Sequence, residues 1–184
     1  MNELYYLRDY SFFVLFVIAL YNNLVSIGNQ CDEAWSNVDT ELKRRYDLIP
    51  NLISAVRGYA AHEKSLLEEL VKRRERAFKN QGSIASQAKD EIALEGALHK
   101  LMVRLEAYPE LKASRNFLEL QKELANTEDR IQAALRFYNG NVRENNNKIQ
   151  QFPSNIVASL FRFGRRDFFK LNDMAAKLPP VVQF

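Results

Sequence analysis

The sequence predicts an all-α protein: an antiparallel long-helix bundle of three to four helices, with an N-terminal transmembrane helix and a short C-terminal helix. Three observations carry that reading. Apolar residues recur at spacings of three and four from Leu24 to Phe78, the repeat of a single helix face. Glycine and proline number six and five in 184 residues, while 27% of residues are charged, so breaks are few and polar covering is plentiful. One uncharged apolar run lies near the start.

That run defines the first element, an anchor over residues 1–28. Phe12 to Leu20 is wholly apolar, and no charge occurs from Tyr10 through Cys31. As a helix, this stretch would span roughly 33 Å at about 1.5 Å per residue, against a hydrocarbon core of about 30 Å. Tyr5, Tyr6, Tyr10 and Tyr21 flank it as interfacial aromatics do. The rival readings are a cleaved signal peptide and a buried soluble helix. A signal peptide wants a basic start and a small-residue cleavage site, whereas Asp9 offsets Arg8 and no A-x-A sequence follows. The first basic residues after the span are Lys43, Arg44 and Arg45. They lean toward a cytoplasmic bundle with the N-terminus outside.

The bundle is expected over 29–151. Its first helix carries two interleaved heptad sets, Cys31, Val38, Leu52, Tyr59, Leu66 and Trp35, Leu42, Ile49, Val56, Leu70, Ala77. Arg45 and Glu63 are the gaps in that coiled-coil-like seam. The register crosses Pro50 without a shift, which predicts a kinked but continuous helix. Acid-then-base pairs at i, i+4 (Asp39/Lys43, Glu41/Arg45, Glu68/Lys72, Glu69/Arg73) support helix on the outer face. The first expected break is Gln81-Gly82-Ser83, with Gly82 able to take positive φ and Ser83 an N-cap.

A second helix is expected from about Ile84 to Ala107, ended by Pro109. A third follows Ser114 as N-cap and runs to about Gln150, burying Phe117, Leu120, Leu124, Ile131, Leu135, Tyr138, Val142 and Ile149. Its seam also contains Glu128 and Asn145, which need partners if buried. Phe152-Pro153 breaks it, and Ser154 or Asn155 is expected to cap a short helix, Ile156–Phe161. The region 152–184 closes with Phe161, Arg162, Phe163, Arg165, Arg166, Phe168 and Phe169, then an extended end at Pro179–Phe184. Two readings of this aromatic-basic tail stand: it folds back to close one end of the bundle, or it lies on the membrane beside the anchor.

Catalytic templates are absent: no G-x-S-x-G, P-loop, G-x-G-x-x-G or H-E-x-x-H occurs, since Leu66 stands where the second histidine would be. Neither Glu-x-x-His pair of a di-metal bundle is present, because Glu95 is four residues before His99. No cofactor, no metal and no enzyme activity are expected. A net charge of +3 and a Lys72–Arg76 run diluted by Glu75 give no footprint for nucleic acid. Cys31 is the sole cysteine, so no intrachain disulfide is possible. The densest interface-type cluster is Trp35, Asp39, Lys43, Arg44, Arg45, Tyr46 and Asp47. Its plainer reading is intramolecular, with Trp35 in the seam and arginines paired to Asp47 or Glu128.

Several segments resemble the LemA family. They are Tyr21–Val25, Glu33–Asp39, Leu42–Leu52, Gly58–Glu63, Ala107–Ala113, Asn116-Phe117, Thr127–Ile131, Arg136–Asn139 and Phe152–Asn155. The run W-S-x-x-D followed by L-K-R-R-x-D-L-I-P-N-L is the most specific. Gly28 and Cys31 stand where the family commonly has larger or polar residues. The resemblance implies a bacterial inner-membrane, single-pass helical bundle with a small N-terminal end outside. It brings no assigned catalytic residues. Relatives are associated with HtpX-like membrane metalloproteases and, in magnetotactic bacteria, with magnetosome biogenesis through MamQ. The expected function is a non-enzymatic scaffold binding an unidentified membrane or peripheral protein through Trp35, Asp39, Lys43, Arg44, Arg45 and Asp47. The alternative is a membrane-surface protein that contacts lipid through the Phe/Arg tail. Oligomeric state is left open.

Overall fold

The structure, a computed structural model, describes the backbone of residues 2–170. Among the described residues it contains six α-helices, one 3-10 turn and no strand. The extended end expected at Pro179–Phe184 lies outside the described residues, as do the side chains of Tyr5 and Tyr6.

Helix α1 runs from Asn2 to Val56 and passes through Pro50 uninterrupted, as the unbroken register predicts. Proline has no N–H, so the Tyr46 carbonyl one turn earlier loses its helical donor. Arg74 supplies a replacement, donating from Nε at 3.0 Å.

The first break nevertheless comes well before Gln81. Residues 57–60 form a turn, followed by a 3-10 segment (Ala61–Glu63) and helix α2 (Lys64–Lys79). Gly58 carries a helix penalty of about 1 kcal/mol relative to alanine. Glu63, the charged gap in the seam, accepts hydrogen bonds from Arg104 Nε (2.6 Å) and the Tyr108 hydroxyl (2.9 Å). Those bonds anchor the turn. Tyr59 is left exposed and Ala60 is buried in its place.

Helix α3 spans Ile84–Leu105, and Ser83 caps it by accepting the Ser86 N–H at 3.3 Å. The turn before it is not made by a glycine of positive φ, since none occurs among the described residues. Asn80 Oδ1 accepts the Gly82 N–H at 2.9 Å instead, an Asx turn in which the side chain shapes the reversal. A brief helix α4 (Pro109–Lys112) leads into α5 (Arg115–Gln150), then α6 (Ser154–Leu160). The Phe152–Pro153 bond between the last two is cis. Neither Ser154 nor Asn155 caps α6, which has Pro153 at its N-cap and no side-chain cap bond. Ser154 Oγ turns back to the carbonyls of Lys148 (2.6 Å) and Gln151 (2.9 Å), satisfying acceptors that the end of α5 leaves open.

The described residues divide into two units, one within Met1–Leu42 and Asp129–Phe168, the other within Lys43–Glu128 and Phe169–Phe184. In the first, α1 and α5 are antiparallel. Leu24 shares a cluster with Ile149, Trp35 meets Tyr138, and Glu41 pairs with Arg130, so numbers rise along one helix as they fall along the other. Leu24, Cys31, Ala34, Val38, Ile131, Leu135 and Val142 are buried between them. In the second unit, α2 packs on α3, again antiparallel, with Arg76 on Asp90 (2.8 Å). Ile49, Leu52, Val56, Leu70, Leu94, Leu101, Leu105 and Leu111 form its interior.

Candidate functional site

The second unit gathers charge from three apolar stripes into its interior. Arg45, the gap in the first seam, is 3% exposed. It pairs through Nη2 with Glu91 on α3 and through Nη1 with Glu128 on α5, the latter at 2.9 Å. The adjacent Tyr46 donates its hydroxyl to the other oxygen of Glu91. Burial alone would lower the Arg45 pKa, but the charges of Glu91 and Glu128 outweigh it and the net shift is upward. Glu95, one turn beyond Glu91, has its pKa raised by partial burial and then by the Glu128 charge.

Both Glu91 oxygens are committed, and removing one member of a buried pair typically costs about 3–5 kcal/mol. Of the two partners expected for the cluster's arginines, Asp47 or Glu128, the structure gives Arg45 Glu128. Glu91 was missed, although a signal existed: it stands one turn after Ala88 and one turn before Glu95, on the apolar side of its helix. Among the described residues no group of three or more His, Cys, Asp or Glu side chains gathers as a metal site.

The expected surface from Trp35 to Asp47 is divided by the fold. Trp35 is half-buried and edge-on to Tyr138 at 5.2 Å. Asp39 is half-buried, while Lys43 and Asp47 are exposed. Arg44 pairs with Glu123 at 3.1 Å, both half-open to solvent. Arg45 is interior, so Glu41 turns to Arg130 rather than forming the expected i, i+4 pair.

A more open feature of the second unit is a groove of about 580 Å³ between the end of α1 and α2. Ile53, Leu67 and Val71 make its apolar floor, and Arg57, Lys64, Glu68, Lys72 and Glu75 its charged rim.

In the first unit the tail folds along α1. Tyr21 meets Phe161 and Phe163 edge-on at 4.8 and 5.6 Å. Phe163 also packs on the Leu24, Val157 and Ala158 cluster, with Val17 and Leu20. Arg166 makes a bidentate pair with Asp32, one contact at 2.9 Å. Its backbone N–H and carbonyl both bond the Asn146 carboxamide at 2.9 Å, and the Tyr138 hydroxyl donates to the Asp167 carbonyl at 2.9 Å. Phe161, Arg162, Arg165 and Phe168 are exposed; Phe169, which belongs to the second unit, is buried. Arg162 takes φ 60 at the end of α6. The Phe163 N–H returns to the Ala158 carbonyl at 2.9 Å and the Arg162 N–H to Ser159 at 3.3 Å, the bonds of a Schellman motif with arginine in the usual glycine position.

Along α1, residues 9–23 are exposed or half-exposed, and burial begins at Leu24. The helix from Asp9 to Val56 is long and apolar enough to cross a membrane.

Comparison with known proteins gives a family-level match, to the LemA family, over residues 34–184. Protein LemA of Metamycoplasma hominis is 26% identical over 155 residues, covering 84% of this chain and 71% of that protein. Magnetosome protein MamQ 2 of Paramagnetospirillum magneticum is 24% identical over 183 residues, covering 86% and 67%. Magnetosome protein MamQ of Magnetospirillum gryphiswaldense is 22% identical over 182 residues, covering 85% and 67%.

Proposed function

The chain belongs to the LemA family, and from that membership we propose that this membrane-associated protein is a tethered, non-enzymatic scaffold that binds a partner protein. The observation that carries the proposal is the groove between Ile53 and Val71. Its apolar floor is framed by charges of both signs, the composition of a site that takes an amphipathic segment and fixes its orientation. Arg45 is spent on Glu91 and Glu128 inside the fold, which leaves the groove as the better-suited surface. An HtpX-like membrane metalloprotease, suggested by the family resemblance, is the first partner to test.

The bundle is assigned to the cytoplasmic side of the inner membrane, with the N-terminus outside. Support comes from more than Lys43–Arg45. Folding pairs Arg166 with Asp32, adding a basic group at the bundle side of the span.

A photo-crosslinking residue at Val71, introduced into the full chain in native membranes, tests the scaffold reading. One reproducible protein adduct that is absent with the probe at Phe137 is expected. Recovery of no specific adduct from Val71 would overturn the proposal. Topology is tested by single cysteines beyond residue 60 in a Cys31→Ala background. Labelling by a membrane-impermeant reagent in intact cells would reverse the assigned orientation.

A further inference from the structure

α6 is too apolar on its outer face for a helix that meets water. Its sequence, SNIVASL, carries no charge. Val157 and Ala158 face inward, at 4% and 1% exposure. The opposite side presents Ile156 and Leu160 at 58% and 71%, flanked by Phe152 at 80% and Phe161. A surface helix ordinarily covers that side with charged and polar groups; here only Ser159 and the half-buried Asn155 stand beside Ile156 and Leu160.

Its place in the fold identifies what covers it. The inward face sits on Leu24 with Val17 and Leu20, and Phe161 meets Tyr21. Phe152 and Pro153 line a recess with Phe16, Ala19, Leu20 and Asn23, and Lys148, Gln151 and Ser154 supply its polar side. α6 therefore lies beside the α1 segment 16–24. Counted from Tyr10, the first residue after Asp9, a span of about 20 residues reaches the neighbourhood of Gln30. The exposed stretch of α1 ends before Leu24, well short of that length if α1 crossed alone. The level at which α6 packs falls inside the thickness of the bilayer. Two charged side chains border this level: Lys148 lines the same recess, and Arg166 pairs with Asp32 while its guanidinium lies near Gly28. Lys148 and Arg162, at the two ends of the α6 hairpin, are long enough to reach the headgroups.

We propose that the Phe152–Phe161 hairpin is a second membrane-embedded element. It lies in the same leaflet boundary as α1, with phospholipid acyl chains against Phe152, Ile156, Leu160 and Phe161. This moves the lipid-contacting face from the arginine-bearing tail to α6, whose charged neighbours face α1 or the headgroups. The inference rests on α1 spanning the membrane, and its test separates the two.

The full chain with Cys31→Ala is reconstituted in phosphatidylcholine–phosphatidylglycerol vesicles. Single cysteines at Leu15, Ile156, Leu160 and Phe137 carry an environment-sensitive fluorophore. Quenching by doxyl-labelled lipid is compared with quenching by aqueous iodide. Leu15, Ile156 and Leu160 are expected to be quenched severalfold more by the labelled lipid than Phe137, and to be shielded from iodide. Iodide access at Ile156 and Leu160, with Leu15 still lipid-quenched, would overturn the inference and leave the anchor standing. Iodide access at Leu15 as well would overturn the anchor. Shielding of Ile156 and Leu160 from both quenchers would mean a protein cover, and would overturn the lipid assignment too.

Discussion

Arg74 donates its Nε–H to the Tyr46 carbonyl at 3.0 Å, the acceptor that Pro50 leaves without a helical partner. The guanidinium also lies 5.3 Å from the Phe78 ring centre, and Phe78 packs edge-on to Tyr46. A proline near the C-terminal end of a 55-residue helix is thereby turned into a docking point for α2. The vacated carbonyl accepts from another helix, so the backbone stays satisfied.

This relationship predicts energetic coupling between Pro50 and Arg74. Arg74→Met should destabilise the chain by about 1–2 kcal/mol, because a part-buried acceptor loses its donor. In a Pro50→Ala background the new amide can serve Tyr46, and the same substitution should cost about 1 kcal/mol less. The check is a double-mutant cycle on urea midpoints. Strict additivity would show that the carbonyl does not depend on Arg74.

Arg45 should be the most sensitive charged position in the second unit. Arg45→Met leaves Glu91 buried and Glu128 half-buried without their cation, and a loss of about 3–5 kcal/mol is expected. Adding Glu91→Gln and Glu128→Gln to that variant should recover most of it, since the unpaired charges and not the lost contacts carry the penalty. Denaturation of the detergent-solubilised chain reads both. A loss under about 1 kcal/mol for Arg45→Met would reassign the cluster to a solvated surface.

Glu95 gives a pH signature of defined sign. Its folded pKa is raised, by partial burial first and the Glu128 charge second. The folded chain therefore holds this proton to higher pH than the unfolded chain, whose carboxyl titrates near 4.3. The ionised group costs stability above its folded pKa, and the cost fades as pH falls toward the unfolded value. Glu95→Gln should raise stability at neutral pH by up to about 1 kcal/mol, discounted for partial exposure. Below about pH 4 the variant and the parent should converge. Midpoints measured across that range would count against the assignment if the variant were less stable at neutral pH.

Asn146 should control the tail. Its carboxamide bonds both the N–H and the carbonyl of Arg166, so Asn146→Asp replaces one attraction with an oxygen–oxygen repulsion. A loss of about 1–3 kcal/mol is expected, with faster amide exchange at Arg166. Unchanged exchange would show that the Arg166–Asp32 pair holds the tail unaided.

Much of this fold was readable because helix periodicity is local. The third stripe, Phe117 to Ile149, predicted α5 to within its observed end at Gln150, and Ser83 was recognisable as a cap from type and position. The break after Val56 was not readable, because the seam stays in phase through it. The segment after the break is held by a pair of donors to Glu63, Arg104 and Tyr108, distant in sequence. Asn80 likewise makes a turn for which Gly82 is the expected residue, since side-chain acceptance and positive φ are alternative solutions to one reversal.

The candidate site divides the same way. Residue chemistry alone marked Arg45 and Glu128 as charges inside apolar stripes and the Phe/Arg tail as unusual. Only the tertiary structure decided that Glu91 completes the pair, that Arg166 is spent on Asp32, and that the exposed apolar face belongs to α6. Sequence by itself determined which residues avoid water, because that follows from side-chain type and a repeat of 3.6. Which buried charge meets which, and which apolar face stays uncovered, depends on the approach of helices distant in sequence, and no local period encodes that.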